Sequence, residues 1–265
     1  MDLITVFGFI SAVIIGISLG LIGGGGSILT VPALVYLLHI SPVLATAYSL
    51  FVVGATSLVG SFTFMKKGLV DYKTAAVFSI PSFIAVFLAR KYLVPAIPYE
   101  IFAIGEWIMT KDIAIMVFFA LIMLAASISM IRNGQIEAKV CEVTYNYPLI
   151  AIEGALVGVL TGIVGAGGGF LIIPALVLLA RLPMKLAVGT SLLIIAVKSL
   201  IGFLGDIFNQ SIDWPFLMLF SGLSLIGIFI GSWLSAKMDG EHLKKGFGWF
   251  VLVMAVYILG KELVF

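Results

Sequence analysis

The stretch Gly20-Leu21-Ile22-Gly23-Gly24-Gly25-Gly26-Ser27-Ile28-Leu29-Thr30-Val31-Pro32-Ala33-Leu34-Val35 runs a glycine tract into a short apolar segment, and the chain uses it twice. At an offset of 142 residues it returns as Gly162-Ile163-Val164-Gly165-Ala166-Gly167-Gly168-Gly169-Phe170-Leu171-Ile172-Ile173-Pro174-Ala175-Leu176-Val177. Further pairs keep the same offset without a gap, among them Ala45/Ala187, Ser49/Ser191, Ser57/Ser199, Gly60/Gly202, Asp71/Asp213 and Ser79/Ser221. A biased composition produces chance Leu and Ala matches, but not Gly, Pro, Ser and Asp in register. The chain reads as a duplication, with the two tracts at equivalent points of its halves.

Composition puts that duplication in a membrane. Of 265 residues, 62% are hydrophobic and only 11% charged, and apolar runs of roughly 20 residues alternate with short polar breaks, as in polytopic membrane proteins. Met1-Asp2 carries no basic flank and the first run, residues 3–22, is long enough to span, so it is expected to stay rather than be cleaved. The single cysteine, Cys141, gives neither a disulfide framework nor a metal-ligand set, and no cofactor is expected. Basic patches with interleaved aromatics are absent, which argues against a nucleic-acid partner. The chain has no Gly-x-Ser-x-Gly elbow, no His-Glu-x-x-His and no Walker lysine, which argues against an enzyme.

The short segments decide the topology. Residues 28–38 rise only ~16 Å as a helix, half of a ~30 Å hydrocarbon core. Preceded by extended glycine-rich chain at roughly 3.3 Å per residue, the same segment completes a crossing. The fold class expected is therefore an all-α polytopic membrane protein of two inverted repeats, each with four full transmembrane helices plus one glycine-broken half-helix crossing. Repeat 1 covers residues 1–131, an inter-repeat linker covers 132–147, and repeat 2 covers 148–265. With ten crossings, one side collects Lys66, Lys67, Lys73, Arg132, Lys139, Arg181, Lys185, Lys237, Lys244 and Lys245; the other collects Arg90, Lys91, Lys111 and Lys261. That bias orients the first side to the cytoplasm of a cell (inner) membrane and both termini away from it. The break over residues 90–111, with Pro95, Pro98, Tyr99 and Trp107, reads as interfacial.

Irregular backbone deep in a bilayer survives only when packed in protein or lining a polar cavity. Each tract feeds a helix N-terminus, where free N–H groups and the positive end of the dipole favour an anion. Two such ends entering from opposite faces make a small-anion site near the midplane, a pattern of secondary transporters. The candidate ligands are Gly23, Gly24, Gly25, Gly26 and Ser27 in the first tract, and Gly165, Ala166, Gly167, Gly168 and Gly169 in the second. Close helix packing through glycine is the competing reading. Ser49, Thr190 and Ser191 offer hydroxyls from the next run of each half, unless they bond back to their own helices. Lys198 is the one basic residue deep within an apolar run. It is a candidate to neutralise the anion, to pair with Glu153 or Asp206, or to relay protons, and Glu153 is a second candidate proton carrier. Asp71 and Asp213 read as helix caps. A passive anion channel and a non-transporting membrane scaffold are the alternatives, and oligomerisation is left open.

The doubled glycine stretch followed by Pro-Ala-Leu, with Gly189-Thr190-Ser191-Leu192 beyond the second copy, resembles the sulfite exporter TauE/SafE family of membrane permeases. The likeness covers essentially the whole chain. It implies a permease for sulfite, organosulfonates or related sulfur and carboxylate anions, moved generally outward. The first copy departs at Ala47-Tyr48-Ser49, where the second has Gly189-Thr190-Ser191.

Overall fold

Helices follow the apolar runs, and their large apolar side chains face outward as well as inward. The computed structural model describes residues 3–22, 27–104, 107–132, 147–164, 168–178, 182–235 and 240–264. Along α1 (Leu3–Ile22), Phe7, Ile10 and Ile14 form an exposed stripe at helical spacing, repeated by Ile152 and Leu156 on α7 (Tyr147–Val164). Such stripes suit lipid rather than water. Five helices among the described residues are long and apolar enough to cross a membrane: Pro42–Lys66, Tyr72–Ala96, Lys111–Ile128, Lys185–Asp206 and Trp214–Leu234.

The first short segment is helical from Ser27 to Leu37. Within it, α2 (Thr30–Pro32) passes into a π-helical stretch, Ala33–Leu37. It ends when Ile40 N–H donates to the Leu34 carbonyl (3.1 Å), with His39 in the left-handed region (φ 54), a left-handed stop whose closing bond is one residue wider than the 6→1 bond of a Schellman motif. The second copy, α8 (Gly169–Leu178), ends on the equivalent bond, Leu182 N–H to Leu176 O at 3.0 Å.

The remaining helices are α3 (Pro42–Lys66), α4 (Tyr72–Leu88), α5 (Val94–Ala96), α6 (Lys111–Arg132), α9 (Met184–Asp206), α10 (Trp214–Ser235) and α11 (Gly240–Val264). Asp71 caps α4 by accepting from Lys73 N–H and Thr74 N–H, and Asp213 accepts from Phe216 N–H at the start of α10.

Packing pairs the helices across the halves. α1 lies along α10 and α7 along α4, while α3 pairs with α9 and α6 with α11; α4 also packs on α9 and α10 on α3. The 142-residue offset exchanges α1 with α7, α3 with α9 and α4 with α10, and the pairings among these six helices map onto themselves. α3 and α9 run antiparallel, because Gly189 near the start of α9 packs on Phe64 near the end of α3. At the other end, Tyr48 hydroxyl accepts from Asp213 N–H at 2.8 Å, and at the Gly189 end the equivalent Thr190 hydroxyl accepts from Asp71 N–H at 2.9 Å.

Two features differ from expectation. The fourth run does not stop before Arg90: helix continues through a π-helical stretch, Ala89–Leu93, into α5, and Arg90 is fully buried rather than in a loop. Pro95 has no N–H to donate to a helical carbonyl, and the π turn lies just before it. The fold is also not purely α-helical. β1 (Glu100–Ile104) and β2 (Trp107–Thr110) form an antiparallel hairpin inside the interfacial segment, where Ile, Phe and Trp favour strand.

Candidate functional site

Close helix approach creates the site's walls. On α7, Gly154, Gly158 and Gly162 recur every fourth residue, and a side chain at Gly154 or Gly158 would collide with the Phe78 or Ser82 carbonyl of α4. At Gly162 it would meet Ala89 Cβ at 2.7 Å. The equivalent Gly16 and Gly20 of α1 abut Ser224 and Ile228 of α10 in the same way. Small residues at this spacing let backbones touch, so much of the glycine outside the tracts is packing glycine.

Lys198 projects from α9 toward α7 and is fully buried. Its ammonium donates to Thr161 Oγ1 at 3.0 Å, and Thr161 in turn donates to the Gly158 carbonyl at 3.3 Å. Gly168, the last tract residue before α8, has φ 66, and its carbonyl accepts from Leu171 and Ile172 N–H. The place a Gly168 side chain would occupy is 2.6 Å from Lys198 Nζ. A cation and a helix N-terminus, two centres that each favour negative charge, thus meet in the interior. Among the described residues the ion pair is Arg90 Nε with Asp206 Oδ2 at 3.3 Å. Asp206 is therefore engaged elsewhere, and Lys198 has a hydroxyl rather than a carboxylate for company. A buried ammonium without a counter-charge costs several kcal/mol, which an entering anion would offset.

The other sequence candidates scatter. Gly23, Gly24, Gly25 and Gly26, and Gly165, Ala166 and Gly167, lie outside the described residues. Ser27 is buried at the start of the first short helix, and Gly169 opens α8. Thr190 is used by the Asp71 amide, and Ser191 Oγ donates to the Val188 carbonyl one turn back at 2.8 Å. Ser49 Oγ is buried without a hydrogen-bond partner. Glu153 is half-buried on α7 and pairs with no cation among the described residues.

Three features escaped the sequence reading. Thr161 is the lysine's partner, and nothing in its Leu-Thr-Gly context marks it. Ser57 and Ser199, equivalent in the repeat, are both buried with unpaired hydroxyls on the central pair α3 and α9; their identity at the common offset was the available signal. Arg90 hid beside Lys91 at the edge of a run. Two surface grooves are a different matter. One of about 710 Å³ along α4 and α7 is walled by Ile84, Leu88, Tyr92 and Val159, and one of about 250 Å³ lies beside Pro32 and Tyr257. Neither is lined by a charged residue, so neither suits an anion.

Comparison with known proteins agrees with this membrane architecture. Over 256 residues the chain is 29% identical to a probable membrane transporter protein of Xylella fastidiosa (strain 9a5c), covering 94% of this chain and 92% of the relative. It is 29% identical to the probable membrane transporter protein YunE of Bacillus subtilis (strain 168), covering 89% of each. The probable membrane transporter protein MJ0441 of Methanocaldococcus jannaschii is 33% identical over 117 residues, 42% of this chain and 44% of that one. No solved structure matches. The family model described as sulfite exporter TauE/SafE matches residues 8–258, nearly the whole length. With its lipid-facing helices and its doubled glycine tract, the chain belongs to the sulfite exporter TauE/SafE family of multi-pass membrane transporters.

Proposed function

We propose that the protein is a secondary transporter of a small oxyanion, carrying sulfite, an organosulfonate or a related sulfur or carboxylate anion outward across the cytoplasmic membrane. The observation that carries this reading is the buried Lys198 ammonium, held by Thr161 against Gly168 at the α8 N-terminus and without a carboxylate partner among the described residues. An anion seated there would meet a full positive charge, a hydroxyl and the amides of a helix start. The reading extends to the undescribed tract residues as backbone ligands, with Ser49 as a further donor. Two inverted repeats are supported by the self-consistent helix pairing, by antiparallel α3 and α9, and by the charge bias of the loops. Alternating access would then move one element of the pair against the rest, with Glu153 as the candidate proton carrier.

The test is ligand-induced stabilisation of purified protein. Sulfite or methanesulfonate will raise the melting temperature above that in chloride at equal ionic strength, since ligands that bind the folded state stabilise it. Lys198→Met removes the charge at similar length, and anion affinity will fall about tenfold or more, the worth of a hydrogen bond to a charged group. A Lys198→Met protein that folds and keeps the wild-type response overturns the reading.

A further inference from the structure

Charge is distributed unequally over two equivalent helix clusters. In one, α4 with the Ala89–Leu93 turn, α7 and α9 carry Arg90, Thr161, Lys198 and Asp206, all buried to within about 2% of exposure. In the other, α10, α1 and α3 carry at the equivalent positions Ser232, Leu19, Thr56 and Phe64. The backbone contacts repeat between the clusters: Gly202 packs on Val86 as Gly60 packs on Ile228. The fold is thus duplicated and the ionisable chemistry is not.

Arg90 is the unexplained member. Its Nε lies 3.3 Å from Asp206 Oδ2, an ion pair by distance without hydrogen-bond geometry, and Nε, Nη1 and Nη2 are all buried without a hydrogen-bond partner. Gly205 brings α9 so close that a side chain there would lie 3.0 Å from Arg90 Cβ. A purely structural pair would satisfy its remaining donors, because each unmet donor on a buried charge is costly. Two adjacent guanidinium N–H edges left open form the fork that takes two oxygens of one carboxylate or sulfonate. Asp206 follows Lys198 by eight residues on α9, a rise of about 12 Å. By the loop charges, that rise leads away from the cytoplasm.

We propose that Arg90 is a second anion station on the outward path, binding the transported oxyanion through Nη1 and Nη2 while Asp206 stays beside Nε as its counter-charge. This rests on the transport reading above. Arg90 is enclosed in this conformation, so the anion reaches it when the Ala89–Leu93 turn shifts off α9. A π-helical turn inside an α-helix is a frequent feature of functional sites and a place to absorb such a shift.

The experiment measures sulfite counterflow in proteoliposomes and sulfite-induced melting shifts for wild type, Arg90→Lys and the double variant Arg90→Met/Asp206→Leu. The double variant removes both charges and fills the space with apolar side chains, a replacement that a merely structural pair tolerates. The expected result is flux reduced about tenfold or more in both variants. The melting shift from sulfite at the Lys198 site stays close to wild type, and the double variant's ligand-free melting temperature is not lowered. Should Arg90→Lys fail to fold, the double variant carries the test alone. A double variant that transports as fast as wild type overturns the second station while leaving the first intact. A wild type that neither binds nor carries sulfite or methanesulfonate overturns the transport reading and this inference together.

Discussion

Gly168 combines three constraints that no other residue type meets. Its φ of 66 lies in the left-handed region, a side chain would collide with Thr161 Cγ2, and the Lys198 ammonium fills the remaining space. Gly168→Ala will therefore destabilise the protein by more than ~1 kcal/mol, read as a lowered melting temperature. The equivalent strain should also displace Lys198 and weaken sulfite binding beyond what stability alone explains. The tract's importance was legible because its glycines recur in register. The identity of the lysine's partner was not, since Thr161 meets Lys198 only once α7 and α9 both pack against α4. Arg90 was misplaced for a related reason: next to Lys91 it looked like the end of a run, and only its contact with Asp206, 116 residues away, shows that it belongs inside.

The glycine ridges of α1 and α7 decide how the helices meet. Gly16 abuts Ser224 of α10, and the equivalent Gly158 abuts Ser82 of α4. Replacing either with Val forces apart two backbones in contact, and overpacking of this kind costs ~1–3 kcal/mol. Gly16→Val and Gly158→Val will both lower the melting temperature in detergent, by similar amounts if the two interfaces are equivalent, whereas Gly222→Val, with open space around it, will change little. The long helices and the short helix after each tract could be read from apolar run lengths and glycine positions. The hairpin Glu100–Thr110 and the two π-helical stretches could not be read that way. A two-stranded pairing needs the partner strand to be known, and the one-residue phase shift of a π turn leaves no mark in a run that is apolar on every face.

For the whole molecule, the repeat maps one half's loops onto the other's, and inversion requires equivalent loops to lie on opposite sides of the bilayer. Lys67 and Asn209 are such a pair, and both are exposed. In a Cys141→Ser background, Lys67→Cys and Asn209→Cys will label with an impermeant maleimide from opposite sides of oriented vesicles, with Lys67 on the cytoplasmic side. Labelling from one side would rule out inversion. The 142-residue offset itself was legible in the sequence, because pairs of Gly, Pro, Ser and Asp keep it. The asymmetry laid over it was visible in the alignment of halves as Lys198 facing Thr56, Arg90 facing Ser232 and Asp206 facing Phe64. On the transport reading proposed above, Lys198, the cation set against α8 among the described residues, has a further consequence for turnover. A vacant carrier of this kind bears a positive centre, and a monoanion cancels it, so the loaded centre crosses the membrane field as a neutral unit. The resting voltage, worth ~2.3 kcal/mol per charge per 100 mV, then acts on the unloaded return stroke. It draws the vacant centre back toward the cytoplasm and resets the cycle for the next departure.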